Sequence, residues 1–86
     1  MQTPRNKEYF VYIVECSDGS YYTGVTTNVE ERIKVHNSGK GAKYTRVRLP
    51  VVLKYIEKAE SKGIALSREY AIKQLAKKEK CKMFNQ

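Results

Sequence analysis

Two short runs of β-branched and aromatic side chains flank a turn signal, and no other feature of this sequence restricts its fold as much. Residues Glu8 to Glu15 (EYFVYIVE) and Ser20 to Val25 (SYYTGV) have the composition of strands, and Ser17-Asp18-Gly19 between them supplies the residues that reverse a chain. A hairpin follows. Asn28 then offers a helix N-cap, with Glu31 three residues on to complete a capping box, and Gly39 supplies the left-handed residue that ends helices. This predicts a helix from about Val29 to Ser38.

The segment from Gly39 to Pro50 has no helical period, and its glycines and proline punctuate it as a loop or irregular segment. Val51 to Glu57 (VVLKYIE) resumes strand character. Ser61 caps a second predicted helix running to about Lys77, with Gly63 in its first turn and Ala65, Ile72, Leu75 and Ala76 at helical spacing. The tail Lys77 to Gln86 either extends that helix or frays. The order β-β-α-β-α predicts an α+β fold, a small three-stranded, mainly antiparallel sheet flanked by helices.

With 86 residues and no linker or internal repeat, the chain is expected to form a single domain, 1–86, with one site. Its formal net charge is +8, from 17 Lys and Arg against 9 Asp and Glu, which suits phosphate backbones or anionic membranes. The membrane reading weakens because no apolar stretch approaches the roughly twenty residues needed to span a bilayer. Met1-Gln2-Thr3-Pro4-Arg5 also lacks the apolar core of a signal peptide, so the expected location is cytoplasmic. Cys16 and Cys81 fit neither a zinc pattern nor a secreted disulfide framework, and are expected to be reduced thiols without chemistry.

In the first predicted helix, Val29, Arg32, Ile33 and His36 fall at i, i+3, i+4 and i+7 and share one face. Arg32 and His36 admit two readings there: a snorkelling arginine with a hydrogen-bonded histidine at the core edge, or functional groups. The surroundings favour the second. Between Glu31 and Glu57 there is no acid, whereas Arg32, Lys34, Lys40, Lys43, Arg46, Arg48 and Lys54 supply seven bases with Tyr44 among them. A basic loop containing glycines and hydroxyls can hold phosphates through backbone N–H groups and side chains, which makes Lys40, Lys43, Tyr44, Thr45, Arg46 and Arg48 candidate nucleic-acid contacts. Gly39-Lys40-Gly41 is too short to be a P-loop.

At this point the residues resemble a known family. The hairpin carries Phe10-Val11-Tyr12 and Tyr22-Thr23-Gly24 where GIY-YIG nucleases carry the two tripeptides that name them. Tyr12, Tyr22 and Arg32 follow one another at intervals of ten, His36 is four beyond Arg32, and Glu69 lies on a later helix, in the order of that family's two tyrosines, arginine, histidine and metal-binding glutamate. The sequence is most similar to the short single-domain (UPF0213-like) branch, whose pattern is echoed in Tyr22-Thr23-Gly24-Val25-Thr26-Thr27-Asn28 and in the stretch from His36 to Thr45. Three positions depart from the family pattern: Phe10 replaces the leading glycine, Thr23 the central isoleucine of the second tripeptide, and Thr26 a lysine that some members carry near the second tyrosine.

The resemblance implies a divalent-metal-dependent endonuclease acting on DNA, with branched, damaged or single-stranded forms as candidate substrates and RNA left open. It implies that Glu69 holds one Mg²⁺ (or Mn²⁺) with retained waters and that Arg32 binds a nonbridging phosphate oxygen. It also makes Tyr12 the general base, His36 an alternative base or the acceptor of Tyr12's proton, and Tyr22 the group that orients water or phosphate. Beside these stand plainer readings, in which the tyrosines are half-buried packing residues and Glu69 pairs with Arg68 at a helix edge. Two other functions stay open, a non-catalytic nucleic-acid-binding module that retains the nuclease fold and a protein-interaction module with a basic face.

A shared site sets one geometric condition. A two-residue Asp18-Gly19 turn pairs Glu15 with Tyr22 and puts Tyr12 and Tyr22 on opposite faces of the hairpin, whereas a three-residue Ser17-Asp18-Gly19 loop, or a bulge, pairs Val14 with Tyr22 and returns both to one face. The second arrangement is expected.

Overall fold

A computed structural model describes residues 8–84 as a three-stranded antiparallel sheet covered on both faces. Strands β1 (Tyr9–Glu15) and β2 (Tyr21–Thr26) form the hairpin; α1 (Val29–Asn37) and a single turn, α2 (Lys43–Arg46), follow; then come β3 (Val52–Ala59), α3 (Lys62–Lys73) and α4 (Lys77–Phe84). The strand order β2-β1-β3 puts β1 in the middle, and its run Val11, Tyr12, Ile13, Val14 is buried on both faces. Residues 1–7 and 85–86, which include the N-terminus and the end of the tail, lie outside the described part.

The hairpin closes through a three-residue loop. The Cys16 N–H donates to the Ser20 carbonyl at 2.8 Å, the Gly19 N–H to the Cys16 carbonyl at 2.9 Å, and Gly19 takes φ +85°, the left-handed value that makes glycine the natural residue there. The register is therefore Val14 with Tyr22 and Tyr12 with Gly24, and the expected common face for the two tyrosines is the one observed. A register shift between Ile13 and Val14 on the β3 side restores the pairing there after one extra residue.

Because side chains alternate along β1, each face has its own cluster. Val11 and Ile13 pack with Ala59 and with Ala65 and Ile72 of α3, and Tyr21, Met83 and Phe84 join them. Tyr12 and Val14 pack on the opposite face with Cys16, Val51, Tyr22, Ile33 of α1, Leu49 and Leu53. Asn28 accepts the Glu31 N–H at 3.0 Å and Ser61 accepts the Ile64 N–H at 3.2 Å, so both predicted N-caps form. Gly39, also at φ +85°, follows the end of α1.

Two elements differ from the sequence reading. The segment 39–50 holds the one-turn α2, a turn made by tertiary contacts that no periodicity announces. The predicted single helix to Lys77 stops at Lys73, and Lys77–Phe84 forms its own helix, because the Ala76 N–H is taken by the Glu79 carboxylate at 3.1 Å, half of a capping box that starts a new helix. That helix docks through an edge-to-face contact between Phe84 and Tyr21, whose ring centroids are 5.4 Å apart, and through a 2.9 Å hydrogen bond between the Tyr21 hydroxyl and the Cys81 thiol. Both cysteines are free.

Asn37 ties α1 to the start of β3. Its amide nitrogen donates to the Val51 carbonyl at 3.2 Å while its oxygen accepts the Val51 N–H at 2.8 Å, a closed pair that fixes the C-terminal end of α1 against the sheet. Asn37→Ala leaves both backbone groups of the buried Val51 without these partners. It is expected to lower the unfolding free energy by about 1 to 3 kcal/mol, read from urea denaturation followed by circular dichroism.

Candidate active site

The register that brings Tyr12 and Tyr22 to one face places them under α1, where His36 points down onto the sheet. The three rings form a triangle, with centroids 6.4 Å apart for Tyr12 and Tyr22, 5.9 Å for Tyr12 and His36, and 5.4 Å for Tyr22 and His36. Tyr12, only 2% exposed, has its hydroxyl 2.8 Å from His36 Nε2. On the other side of the imidazole, Nδ1 lies 2.9 Å from Thr45 Oγ1, which donates to the Ala42 carbonyl at 3.1 Å.

These contacts fix the protons. The threonine hydroxyl has one hydrogen and gives it to Ala42, so toward His36 it can only accept, and Nδ1 carries the imidazole hydrogen. Nε2 then presents its lone pair, and the Tyr12 hydroxyl donates to it. Burial, reinforced by the Arg32 charge, holds the His36 pKa below its usual 6.5, which agrees with a neutral ring. Burial, and after it the neighbouring Tyr22, raises Tyr12 well above the ordinary phenol value of 10, against an opposing pull from Arg32. At neutral pH the pair is a neutral phenol donating to a neutral imidazole.

Two glycines make this contact sterically allowed. A Cβ on Gly24, directly across from Tyr12 in the hairpin, would stand 2.5 Å from the Tyr12 hydroxyl, and one on Gly41 would stand 2.5 Å from His36 Nδ1 and 2.9 Å from its Cα. Sequence reading passed over the roles of both, although a glycine inside a strand is a recognised mark of close approach.

The remaining predicted residues divide. Arg32, one turn before His36 and exposed, is close enough for its charge to act on both Tyr12 and His36. Glu69, on α3, also acts on Tyr12, raising its pKa. Its carboxylate pairs with the Lys73 ammonium at 3.2 Å rather than with Arg68, which makes a two-pronged contact to Glu57 of β3, one prong at 2.8 Å. Lys40, Lys43 and Arg46 are exposed, as is Tyr44, which stacks on Tyr22 with centroids 6.2 Å apart. Two of the expected nucleic-acid contacts are engaged elsewhere. Thr45 is fully buried with its hydroxyl committed to His36 and Ala42, and Arg48 lies over the Tyr44 ring, bonded to Asp18 at 3.0 Å and to the Tyr44 carbonyl at 2.8 Å. Thr26 exchanges hydrogen bonds with the backbone of Asn28, ahead of α1.

Among the described residues, no group of three or more His, Cys, Asp or Glu gathers as a metal cage. A hard divalent ion here would rest on Glu69 with water filling its other positions, and it would compete with the Lys73 ammonium 3.2 Å from that carboxylate.

This fold and this set of residues define a class, and sequence comparison agrees with it: the GIY-YIG catalytic domain matches residues 8–82, and the chain belongs to that family. Among its relatives, a UPF0213 protein of Bacillus cereus is 62% identical over 76 residues, covering 88% of this chain and 78% of that protein. The UPF0213 protein of Staphylococcus haemolyticus is 56% identical, covering 92% and 96%. The solution NMR structure of a UPF0213 protein from Bacillus halodurans superposes with a TM-score of 0.56 at 50% identity, covering 88% of this chain and 81% of that one.

His36 is the only histidine, so its titration can be read without assignment ambiguity. Long-range ¹H–¹⁵N NMR is expected to show the Nδ1–H form at neutral pH and protonation only below 6.5. Since the folded pKa lies below the unfolded one, the unfolded chain binds this proton more readily, and stability falls as pH drops from above 6.5 through the folded value. A ring that protonates above 6.5, or carries its hydrogen on Nε2, contradicts the assignment. Gly24→Ala is expected to displace the Tyr12 hydroxyl, change the Nε2 chemical shift and lower stability by about 1 to 3 kcal/mol.

Proposed function

We propose that the protein is a divalent-metal-dependent endonuclease that hydrolyses phosphodiester bonds in DNA. The observation that carries this reading is the hydrogen-bonded line from Tyr12 through His36 to Thr45 and Ala42, which supplies a proton path where a bare phenol would be too weak a base. As an attacking water forms its bond to phosphorus, it gives a proton to the Tyr12 oxygen while Tyr12 gives its own to His36 Nε2. The imidazolium so formed keeps its Nδ1–H bond to Thr45. Arg32 binds a nonbridging oxygen and offsets the charge that grows there, and its planar, permanently charged fork suits that role. Tyr22, against both rings, orients the water or the phosphate.

Glu69 would hold the Mg²⁺ or Mn²⁺, which when bound supplies positive charge for the leaving oxygen. The exposed bases Lys40, Lys43 and Arg46 draw the anionic strand toward the site. A second reading, a nucleic-acid-binding module that has kept the nuclease fold without cutting, is favoured by one observation, the 2% exposure of Tyr12.

Cleavage of labelled linear, flapped, branched and single-stranded DNAs, and of an RNA strand, by wild type, Glu69→Ala and Tyr12→Phe in Mg²⁺, Mn²⁺ or EDTA separates the two. The nuclease is expected to cut only with metal, to lose cutting in Glu69→Ala, and to slow by about 10² to 10⁴ in Tyr12→Phe. Salt-sensitive binding without cutting by any of the three proteins establishes the binding module instead.

A further inference from the structure

Tyr22 also forms part of a cleft at the free edge of the sheet. Tyr21, Tyr22 and Thr23 of β2, Tyr44 of α2, Lys73 at the end of α3 and Lys80 of α4 line a space of about 280 Å³, room for a phosphate and its sugar. Two lysines and no acidic residue line it. Lys80 makes no salt bridge among the described residues, and Lys73 is held only by Glu69.

Thr23 is the unusual member. It is 2% exposed, and its hydroxyl oxygen is the one buried side-chain polar atom among the described residues with no hydrogen-bond partner, a state that costs free energy unless something else supplies the bond. The hairpin adds a main-chain donor. From the hydrogen-bonded pair of Cys16 and Ser20, antiparallel alternation makes Tyr22 a bonded residue and leaves Thr23 unbonded to β1, so the Thr23 N–H is directed off the free edge of β2.

We propose that this cleft is a second phosphate site, which holds a backbone phosphate of the substrate strand next to the one cut at Tyr12. The placement beside the reacting phosphate rests on the nuclease reading. Lys73 and Lys80 supply charge, Thr23 supplies its hydroxyl and N–H, and the stacked Tyr22 and Tyr44 form the wall against which the sugar or base lies. Because Tyr22 belongs to both sites, a strand seated in the cleft is led directly to the catalytic rings.

The test is a titration of ¹⁵N-labelled protein with inorganic phosphate at constant ionic strength, then with a short single-stranded DNA in EDTA. Saturable amide shifts are expected at Tyr22, Thr23 and Lys80. Lys80→Gln is expected to weaken both ligands about tenfold, the loss of one charge-assisted hydrogen bond. Lys62→Gln, which removes the same charge from the other end of α3, leaves them within about twofold, since that exposed charge is screened by salt. Thr23→Val separates a site from a packing defect: it is expected to unfold at the same or a higher temperature, having lost an unpartnered hydroxyl, and yet to bind phosphate more weakly.

Shifts spread along Lys40–Arg46 and unchanged in Lys80→Gln overturn the site, as does Thr23→Val binding like wild type. Weakened phosphate binding with unaltered DNA binding overturns the nucleic-acid assignment. Cleft binding by a protein that never cuts sinks only the nuclease reading. Conversely, cutting that is equally fast in wild type and Lys80→Gln at low substrate sinks only the cleft.

Discussion

Everything in the candidate site depends on one buried hydrogen bond, between the Tyr12 hydroxyl and His36 Nε2. Tyr12 stands on the central strand and His36 on the last turn of α1, so the bond joins the middle of the sheet to the helix above it. Burying a phenol and an imidazole is unfavourable unless both find partners, and here each completes the other. The requirement spreads outward. Gly24 leaves room for the phenol, Gly41 brings the loop against the ring, Thr45 saturates Nδ1, Ala42 takes the threonine's hydrogen, and Asn37 fastens the helix to β3. The single turn α2 carries the Thr45 hydroxyl to His36.

The parts of the fold legible in the sequence are those governed by local rules. Alternation and turn chemistry gave the hairpin, cap residues gave both helix starts, and the demand that two tyrosines share a face selected the three-residue loop that Gly19 makes. Thr45 was legible only as a polar residue in a basic loop. Nothing in its neighbours shows that the loop folds back under α1, because that depends on a contact nine residues away with a histidine whose own burial is tertiary. The break between α3 and α4 was hidden similarly. The apolar residues Leu75 and Ala76 continue the helical spacing, and the competing signal, the Glu79 carboxylate on the Ala76 N–H, outweighs it. The clustering of Tyr12, Tyr22 and His36 needed the family register, since tyrosines in strands pack more often than they react.

Charge and chemistry are separated in this molecule. Lys40, Lys43 and Arg46 are exposed, where salt screens them and where they can attract a polyanion without fixing its position. The groups that would handle protons are neutral and buried. Arg32 stands between the two zones, exposed yet felt by both Tyr12 and His36, and Glu69 acts on Tyr12 with the opposite sign.

That balance decides how the phenol can act. Burial raises the Tyr12 pKa more than Arg32 lowers it, so Tyr12 does not wait as a phenolate. A water losing its proton to a neutral phenol would form an unfavourable cation unless the phenol's own proton left simultaneously, and His36 Nε2 at 2.8 Å is the group placed to take it. Burial makes Tyr12 a poor independent base, and in the proposed reaction its hydrogen bond to His36 would make it a conduit instead. In the proposed hydrolysis their two roles would not be alternatives, since each would be effective only through the other, and a phosphate bringing negative charge beside Arg32 would make the resulting imidazolium tolerable.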